Sequence, residues 1–336
     1  MHGDRIYPYV LEPKETTAVW GGESWKCWDE NLVRNGPLSG KRLSDLRSLL
    51  GEALLGTIDP SRLFPILTKI ITTHDWLSVQ VHPDDAYAQR VEHQPNGKTE
   101  SWYIFGAQGK AELVLGWRRD VSRAEYERRV ADGTLGEVLR RVQVKAGEAF
   151  YLPAGMLHAI GAGIVLFETQ QASDLTYRIF DWNRLGLDGK PRQLAVDKAA
   201  DVLDYRACTG GALETIDYTF ESLERTVLIA DEHFVVERVT ATTEPASIAT
   251  HDRPLVVMAI EPGLSVSCNS DDVALATDDC AIVPAAAKRC NVCATAEQGR
   301  ASFMLVTPPA GPGTLRAQLL AAGVGQARID AFDGQF

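Results

Sequence analysis

Short apolar runs separated by turn residues are the feature of this sequence that most restricts its fold. Beyond about residue 217 the chain consists almost entirely of such runs, at 226–229, 234–239, 255–260, 264–268, 280–283 and 302–307. Similar runs occur earlier, at 76–81, 102–105, 111–115, 142–144, 149–152 and 164–170. Evenly spaced short strands are typical of a sandwich or barrel and not of a doubly wound parallel sheet. The pattern therefore predicts an all-β-dominated fold.

Helices are predicted mainly as insertions in the first two-thirds of the chain. Leucines at helical spacing predict a helix over 44–50, which Gly51 ends. A second helical segment is predicted at about 121–141, because Ser122 and Glu125 have the spacing of a capping box. The sequence contains neither G-x-G-x-x-G nor G-x-x-x-x-G-K-[ST], so nucleotide binding has no support.

An internal echo predicts that two related β units follow one another. The segment 147–158 runs from a glycine through five residues to Pro153, and its turn ends at His158. The segment 278–289 has a proline at the same offset, but it ends at Arg289. The first unit is expected at 1–205, with helical elaborations. The second is expected at 206–336, without metal ligands and with a carboxyl-terminal tail.

Charge and composition argue against several classes of protein. Acidic residues exceed basic ones, 45 to 34, and the net charge of -11 argues against a partner that is a nucleic acid or an anionic membrane. No run of 18 apolar residues is present, and the start of the chain lacks an apolar signal core, so a cytoplasmic protein is expected. Cys290 and Cys293 resemble half a zinc knuckle, but no second pair follows, and buried structural thiols are expected.

The densest chemical signal lies between residues 78 and 192. Gln80 and His82 are two residues apart on a strand-like run and therefore project from one face. Glu100 opens the next aromatic strand, and His158 follows the proline turn. Each residue alone is more often structural. Two imidazoles, one carboxylate and one amide oxygen together suit a borderline divalent cation, with zinc as the first choice.

The same segments carry a resemblance to a known family. The turn of 147–158 matches the second sequence motif of the cupin superfamily. The strings Leu-Ser-Val-Gln-Val-His-Pro-Asp-Asp (77–85) and Gly-Lys-Thr-Glu-Ser-Trp-Tyr-Ile (97–104) resemble type I mannose-6-phosphate isomerases, as do 150–161, 168–171 and 174–182. The likeness is specific over about 16–195. It departs from the family at 28–34, which leaves substrate contacts from the amino-terminal segment open.

The resemblance implies a fold, a metal and a reaction. The fold would be a tandem cupin of two jelly-roll β units, the second degenerate. His82, Glu100 and His158 would bind one Zn²⁺ per chain, with Gln80 as a less certain fourth ligand. The enzyme would interconvert mannose 6-phosphate and fructose 6-phosphate through an enediol, and its partner would be the sugar phosphate alone.

The resemblance also assigns catalytic residues. Arg178 would be the active-site arginine, with Glu168 and Lys98 close to the sugar. Glu168 is the best candidate for general base on its spacing, but it could equally orient His158 or be a structural acid. Lys98 could bind hydroxyls or orient Glu100.

Three basic residues after Arg178 are candidates for the phosphate, although each could be a solvated loop charge: Arg184, Lys190 and Arg192.

Two other functions remain open at this point. One is a non-catalytic sugar-phosphate-binding bicupin, against which the combination of Arg178 and Glu168 with all three metal ligands counts. The other is an iron-dependent cupin dioxygenase, for which a His-x-His pair is expected where this chain has Gln80-Val-His82.

Overall fold

Strands dominate the computed structural model, which describes residues 6–269, 271–308 and 313–333. In chain order the strands are β1 (Tyr9–Leu11), β2 (Lys14–Ala18), β3 (Gly21–Cys27), β4 (Ile66–Thr73), β5 (Val79–Val81), β6 (Glu100–Ala107), β7 (Glu112–Trp117), β8 (Leu139–Gln143), β9 (Ala149–Leu152), β10 (His158–Ile160), β11 (Ile164–Gln171), β12 (Tyr177–Phe180), β13 (Ile216–Phe220), β14 (Leu223–Ala230), β15 (Val235–Thr242), β16 (Ala246–Ala249), β17 (Leu255–Ala259), β18 (Leu264–Cys268), β19 (Asp271–Leu275), β20 (Cys280–Val283), β21 (Arg289–Ala294) and β22 (Arg300–Thr307).

The helices are few and short. They are α1 (Leu43–Leu50), α2 (Glu52–Leu55), α3 (Asp85–Tyr87), α4 (Arg123–Ala131), α5 (Val196–Val202), α6 (Gly313–Ala321) and α7 (Gln326–Asp333), with a π turn at Ala88–Glu92 and 3-10 turns at Leu135–Glu137 and Ala285–Ala287. None of the helices in the described ranges has the length and apolar composition needed to cross a membrane.

The chain divides into two compact units, one inserted in the sequence of the other. The inserted unit comprises residues 15–24 and 69–213. The flanking unit comprises 6–14, 25–68 and the described residues of 214–336. These units differ from the predicted 1–205 and 206–336, because Val10 on β1 pairs with Ala281 on β20 and so joins the amino-terminal residues to the carboxyl-terminal ones.

Two antiparallel sheets carry the residues predicted to form the site. One has the strand order β12-β5-β10-β7-β8 and the other β2-β3-β4-β11-β6-β9. Their facing sides share one apolar core, which includes Trp102 and Leu166 from one sheet and Leu115 and Ile160 from the other. Alternation along each strand continues these inward faces to the polar residues at one end of the core.

The other face of the β12-β5-β10-β7-β8 sheet is covered by helices. Val79, Ala159 and Ile179 on that face share a buried cluster with Tyr126 of α4 and Ala199 of α5. A strand whose two faces are both buried is held in one register, because a slip by one residue would exchange its faces. This cover therefore fixes which side chains of β5, β10 and β12 point to the core.

The flanking unit repeats the plan of two antiparallel sheets. Their strand orders are β1-β20-β17-β22-β15-β14-β13 and β16-β21-β18-β19. Val257, Phe303 and Leu305 from the larger sheet share a core with Val266 and Val292 from the smaller one. The β-dominated fold expected from the sequence is confirmed.

Helix bounds differ from the prediction in two places. The segment expected to be helical over 121–141 contains α4, which begins where the Ser122 hydroxyl accepts a hydrogen bond from the backbone N–H of Glu125 at 3.1 Å. The helix ends at Ala131, because Gly133 adopts a φ of 68° and turns the chain toward β8. The expected carboxyl-terminal tail contains α6 and α7, whose Leu319 and Ile329 pack in a buried cluster with the β13 side chains.

Candidate metal centre and active site

Three side chains expected to bind a metal meet at one end of the inserted unit's core. His82 follows β5, His158 begins β10, and Glu100 begins β6 on the opposite sheet. One ligand atom of each lies within 4.8 Å of the others, and the three residues are at most 2% exposed. Glycine holds the two histidine segments together: Gly155, with a φ of 86°, donates its N–H to the His82 carbonyl at 2.9 Å.

Both imidazoles present an unprotonated Nε2 toward the carboxylate. The Nδ1 of His82 lies 2.7 Å from the carbonyl of Leu175, and the Nδ1 of His158 lies 2.9 Å from that of Met156, so each Nδ1 carries the proton and donates it. The Nε2 atoms lie 3.4 and 3.2 Å from the Glu100 oxygens. Burial lowers the pKa of both histidines, that of His82 to about 3, so both are neutral near pH 7.

The Glu100 carboxylate is fully buried and carries its charge. Burial alone would raise its pKa, but the Lys98 ammonium opposes this, and the pKa lies well below its usual range. Apart from these groups, neither oxygen receives a hydrogen bond in the described part of the chain. Two imidazole lone pairs thus face carboxylate oxygens, an arrangement that a cation between them stabilises. The donor set of two nitrogens and one carboxylate fits Zn²⁺.

Lys98 lies against two of the candidate metal ligands, Glu100 and His82. Its Nζ is 2.8 Å from Glu100 Oε2 and 3.2 Å from His82 Nε2, and the residue is 3% exposed. Burial would lower the pKa of Lys98, but the carboxylates of Glu100 and Glu168 raise it above its usual value. The lysine is therefore an ammonium that neutralises the site's excess of carboxylates.

Gln80 reaches the same end of the sheet. It is the direct cross-strand partner of His158, and its Nε2 lies 3.3 Å from His158 Nε2. The amide oxygen lies 3.5 Å from the Ser78 hydroxyl. A half-turn of the amide would exchange its oxygen and nitrogen, and the oxygen would then face the metal ligands. A role for Gln80 as fourth ligand stays a prediction.

Glu168 lies on the same inward face as Glu100, since the two strands pair Glu168 with Trp102 and Gln170 with Glu100. Trp102 donates its indole N–H to Glu168 Oε2 at 2.9 Å, and Lys69 Nζ lies 3.3 Å from Oε1. Burial and the Glu100 charge raise the pKa of Glu168, while Lys69 and Lys98 oppose the rise. A carboxylate with a raised pKa beside a metal site has the character of a general base.

Arg178 lies in a row with Gln80 and His158. It pairs with Gln80 across β12 and β5, and Gln80 pairs with His158, so the three side chains share one face. Arg178 is half-buried, donates from Nε to Ser78 at 3.2 Å and from Nη1 to the Gln193 carbonyl at 3.0 Å. No carboxylate of the described residues lies within ion-pairing distance of Arg178, and the nearby Asp181 pairs instead with Arg184 and Arg192.

The three basic residues predicted as candidates for binding the phosphate lie in the loop between β12 and α5. Arg184 and Arg192 both bind Asp181, and Arg184 also binds Asp75 at 2.9 Å. Lys190 is exposed. Two of the three cations are therefore committed to a carboxylate cluster that ties the loop to the sheet.

Neither Lys69 nor its contacts with Glu168 and Glu23 were predicted from the sequence. Lys69 on β4 lies 3.5 Å from Glu23 Oε2 as well as beside Glu168. The signal was present, since Lys69 is the one charged residue in the strand Ile66–Thr73. A lone charge in a buried strand needs a partner, but the sequence does not show which carboxylate supplies it.

Comparison of the sequence with known proteins identifies isomerases that are similar to this chain. The family model for the phosphomannose isomerase type I catalytic domain matches residues 5–114. The mannose-6-phosphate isomerase of Streptococcus mutans is 39% identical over 229 residues, which cover 67% of this chain and 69% of that protein. The chain belongs to the type I mannose-6-phosphate isomerase family. The resemblance read from the motifs is confirmed.

Further members of this isomerase family extend the comparison. The mannose-6-phosphate isomerase ManA of Bacillus subtilis is 38% identical over 217 residues, covering 59% of this chain and 68% of that protein. A crystal structure of the Bacillus subtilis mannose 6-phosphate isomerase matches 89% of this chain and 99% of its own, with a TM-score of 0.80 at 28% identity. A zinc-bound mannose 6-phosphate isomerase at 14% identity, with a TM-score of 0.69, shares the fold.

Proposed function

We propose that this protein is a zinc-dependent isomerase that interconverts mannose 6-phosphate and fructose 6-phosphate in the cytoplasm. The observation that carries the proposal is the convergence of His82, Glu100 and His158, with their ligand atoms within 4.8 Å, beside Glu168 and Arg178. The names of the relatives supply the substrate, and the side chains supply the means for its chemistry.

One Zn²⁺ per chain would be held by His82, Glu100 and His158. Three protein ligands leave a coordination position open, as catalytic zinc sites do. Bound there, zinc would supply a Lewis acid for oxygen atoms of the open-chain sugar. Lys98 helps hold Glu100 ionised, and the carbonyls behind each histidine hold Nε2 unprotonated for the metal.

The proton transfer needs a base near C1 and C2. Glu168 takes the proton from C2 of the aldose and returns it to C1 of the enediol, while a proton moves from the C2 hydroxyl to the C1 oxygen. Trp102 and Lys69 fix the Glu168 carboxylate on the inward face. The C1–C2 bond is double in the enediol and single again in the ketose, so no carbon–carbon bond is broken and the two sugars are isomers.

Arg178 contributes charge to the same steps. Negative charge develops on the sugar oxygen as the enediol forms, and a guanidinium beside it stabilises that charge in the transition state. Neighbouring strands lie roughly 4.8 Å apart, so Arg178 stands two strand spacings from His158 across Gln80. An open-chain sugar can extend over that distance.

Two measurements on one preparation test the proposal. Protein purified without added metal is analysed for bound metal, and mannose 6-phosphate turnover is followed by a coupled assay for fructose 6-phosphate. One zinc per chain with turnover supports the proposal. Stoichiometric metal with tight sugar-phosphate binding and no turnover would establish the non-catalytic bicupin instead, and bound iron with oxygen uptake would establish a dioxygenase.

A variant pair tests the base separately from the metal. Glu168→Gln keeps an acceptor for the Trp102 N–H, and we expect retained zinc with kcat lowered by about 10²–10⁴-fold, the range for loss of a general base. Glu148→Gln is the matched control, since Glu148 has no part in the proposed site and pairs with the exposed Lys145. Normal turnover in Glu168→Gln would exclude Glu168 as the base.

A further inference from the structure

A short loop before β6 carries two charged residues of the candidate metal site. The loop 97–99 contains Lys98, and Glu100 follows it as the first residue of β6. The loop packs closely on the backbone of the segment after β5, since a Cβ on Gly97 would lie 2.4 Å from the carbonyl oxygen of Pro83. Pro83 is the residue that follows one histidine of the site. The packing of this loop therefore sets where its two charged residues lie relative to that histidine.

All three backbone N–H groups of loop 97–99 donate hydrogen bonds to acceptors outside the loop. The acceptors are Asp85 Oδ1 for Gly97, at 2.7 Å, the Pro83 carbonyl for Lys98, at 3.0 Å, and Gln171 Oε1 for Thr99, at 2.8 Å. A buried N–H that loses its acceptor costs free energy, so these bonds hold the loop in one conformation. Two of the three acceptors are side chains, those of Asp85 and Gln171.

Asp85 and Gln171 also bind each other. Gln171 donates from Nε2 to Asp85 Oδ1 at 2.9 Å, and the same oxygen accepts the N–H of Gly97. Gln171 is 6% exposed and ends β11, where its own N–H donates to the Thr99 carbonyl at 3.1 Å. An N–H donor on one side and a carboxylate acceptor on the other fix the orientation of the amide. Both ends of one amide thus hold the loop in place.

This pair joins the three segments that carry the candidate site. Asp85 lies three residues after His82, Gln171 lies three residues after Glu168, and the loop between them leads to Glu100. Groups that orient metal ligands typically contribute about 10–100-fold to metal affinity or activity. A displacement of about 1 Å at a reacting group can cost about 100-fold in rate. Loss of the pair would therefore be measurable at the metal, although the pair acts through the backbone of the loop.

We propose that Asp85 and Gln171 are positioning residues, which hold Lys98 and Glu100 in place for the metal. The inference rests on the proposed function, because it assigns the pair a role in the same site. The pair then determines how firmly the protein holds zinc and how fast it turns over substrate. A pair that served stability alone would affect the melting temperature and leave both of these properties unchanged.

Zinc release and turnover of variants test the proposal on the full-length, zinc-loaded protein. Release is followed with the chromogenic chelator 4-(2-pyridylazo)resorcinol, and kcat with the coupled assay for mannose 6-phosphate. Asp85→Ala removes the acceptor shared by Gly97 and Gln171. Gln171→Met nearly keeps the size of the side chain and removes both polar groups of the amide. We expect each variant to release zinc about 10–100-fold faster and to lower kcat by a similar factor.

Two further variants separate positioning from a general loss of stability. Asp84→Ala is the matched control, because Asp84 Oδ1 accepts the N–H of Tyr87 at the same 2.7 Å, but this bond caps α3 and does not involve loop 97–99. Its zinc release and kcat should stay near those of wild type. Asp85→Asn keeps an oxygen that can accept both hydrogen bonds, so it should retain most of the zinc binding and turnover that Asp85→Ala loses. The melting temperature of each variant shows whether it is folded.

Two results would overturn this inference while leaving the proposed function intact. The first is a folded Asp85→Ala protein that holds zinc and turns over like Asp84→Ala. Because Asp85 is partly exposed, this variant decides the question even if the buried Gln171→Met does not fold. The second is an Asp85→Asn protein as impaired as Asp85→Ala, because the charge and not the hydrogen-bonded geometry would then matter. Wild-type protein without zinc and without turnover would instead overturn the proposed function, and this inference with it.

Discussion

Lys69 offers the sharpest test of Glu168 as the general base. Its Nζ lies 3.3 Å from Glu168 Oε1, and both side chains are 4% exposed. Two unit charges at this distance interact by about 5 kcal/mol at an effective dielectric constant of about 20. When one of two paired charges is removed, the surrounding groups rearrange, and the change in interaction energy is smaller than this value. An opposite charge this close usually shifts a pKa by about 1–3 units.

The sign of the effect follows from which form of Glu168 is active. A general base must be ionised, so kcat/KM falls as the pH drops through the pKa of Glu168. Burial and Glu100 raise this pKa, and Lys69 opposes them. Lys69→Met should therefore raise the pKa further. The acid limb of kcat/KM should move upward by about 1–3 pH units, with activity recovered at high pH.

Glu23 provides a control of opposite sign. Its carboxylate lies 3.5 Å from Lys69 and itself raises the pKa of Glu168. Glu23→Gln should therefore move the acid limb downward. The assay is kcat/KM for mannose 6-phosphate between about pH 5 and 9, with zinc content and melting temperature recorded for each variant. An acid limb that stays fixed in both folded, zinc-loaded variants would refute Glu168 as the titrating base.

Three further predictions concern the metal, the arginine and the second unit. His158→Ala and Glu100→Gln should each lose bound zinc and nearly all turnover while keeping the fold, and stoichiometric zinc by mass spectrometry would contradict the ligand set. Arg178→Lys should lower kcat about 100-fold or more with zinc content, KM and melting temperature near wild type, and a loss of stability alone would contradict its role. Arg289→Ala should leave kcat within a small factor of wild type, and a loss of several orders of magnitude in the folded variant would show that this residue serves turnover.

The candidate metal ligands could be picked out from the sequence because short-range rules place them. Period-2 alternation puts Gln80 and His82 on one face, and the glycine–proline turn before His158 is a local motif. The strands 149–152, 264–268 and 280–283 are bounded by turn residues and lie where the sequence predicts them. These features depend only on residues that are close together in the sequence.

Long-range pairing limited the rest of the prediction. The buried contact of Lys69 with Glu168 joins residues 69 and 168, and nothing near either of them names the other. The helix α6 was not predicted because several of its residues are small and its apolar periodicity is weak. Among its described side chains, Leu319 is the one that is buried. Arg178 shares a face with Gln80 and His158, but that face is half-buried, and the partners of Arg178 are Ser78 and a loop carbonyl.

The pairing of the first strand with a late one has a consequence for synthesis. Val10 pairs with Ala281, and 281 minus 10 leaves a separation of 271 residues. At about 5–20 residues per second, a ribosome needs roughly 15–50 s to make that length of chain. Throughout this time the edge of Tyr9–Leu11 that pairs with β20 has no partner strand. This open edge can pair with other chains. In the growing chain, pairing with other chains therefore competes with folding at this edge until β20 emerges.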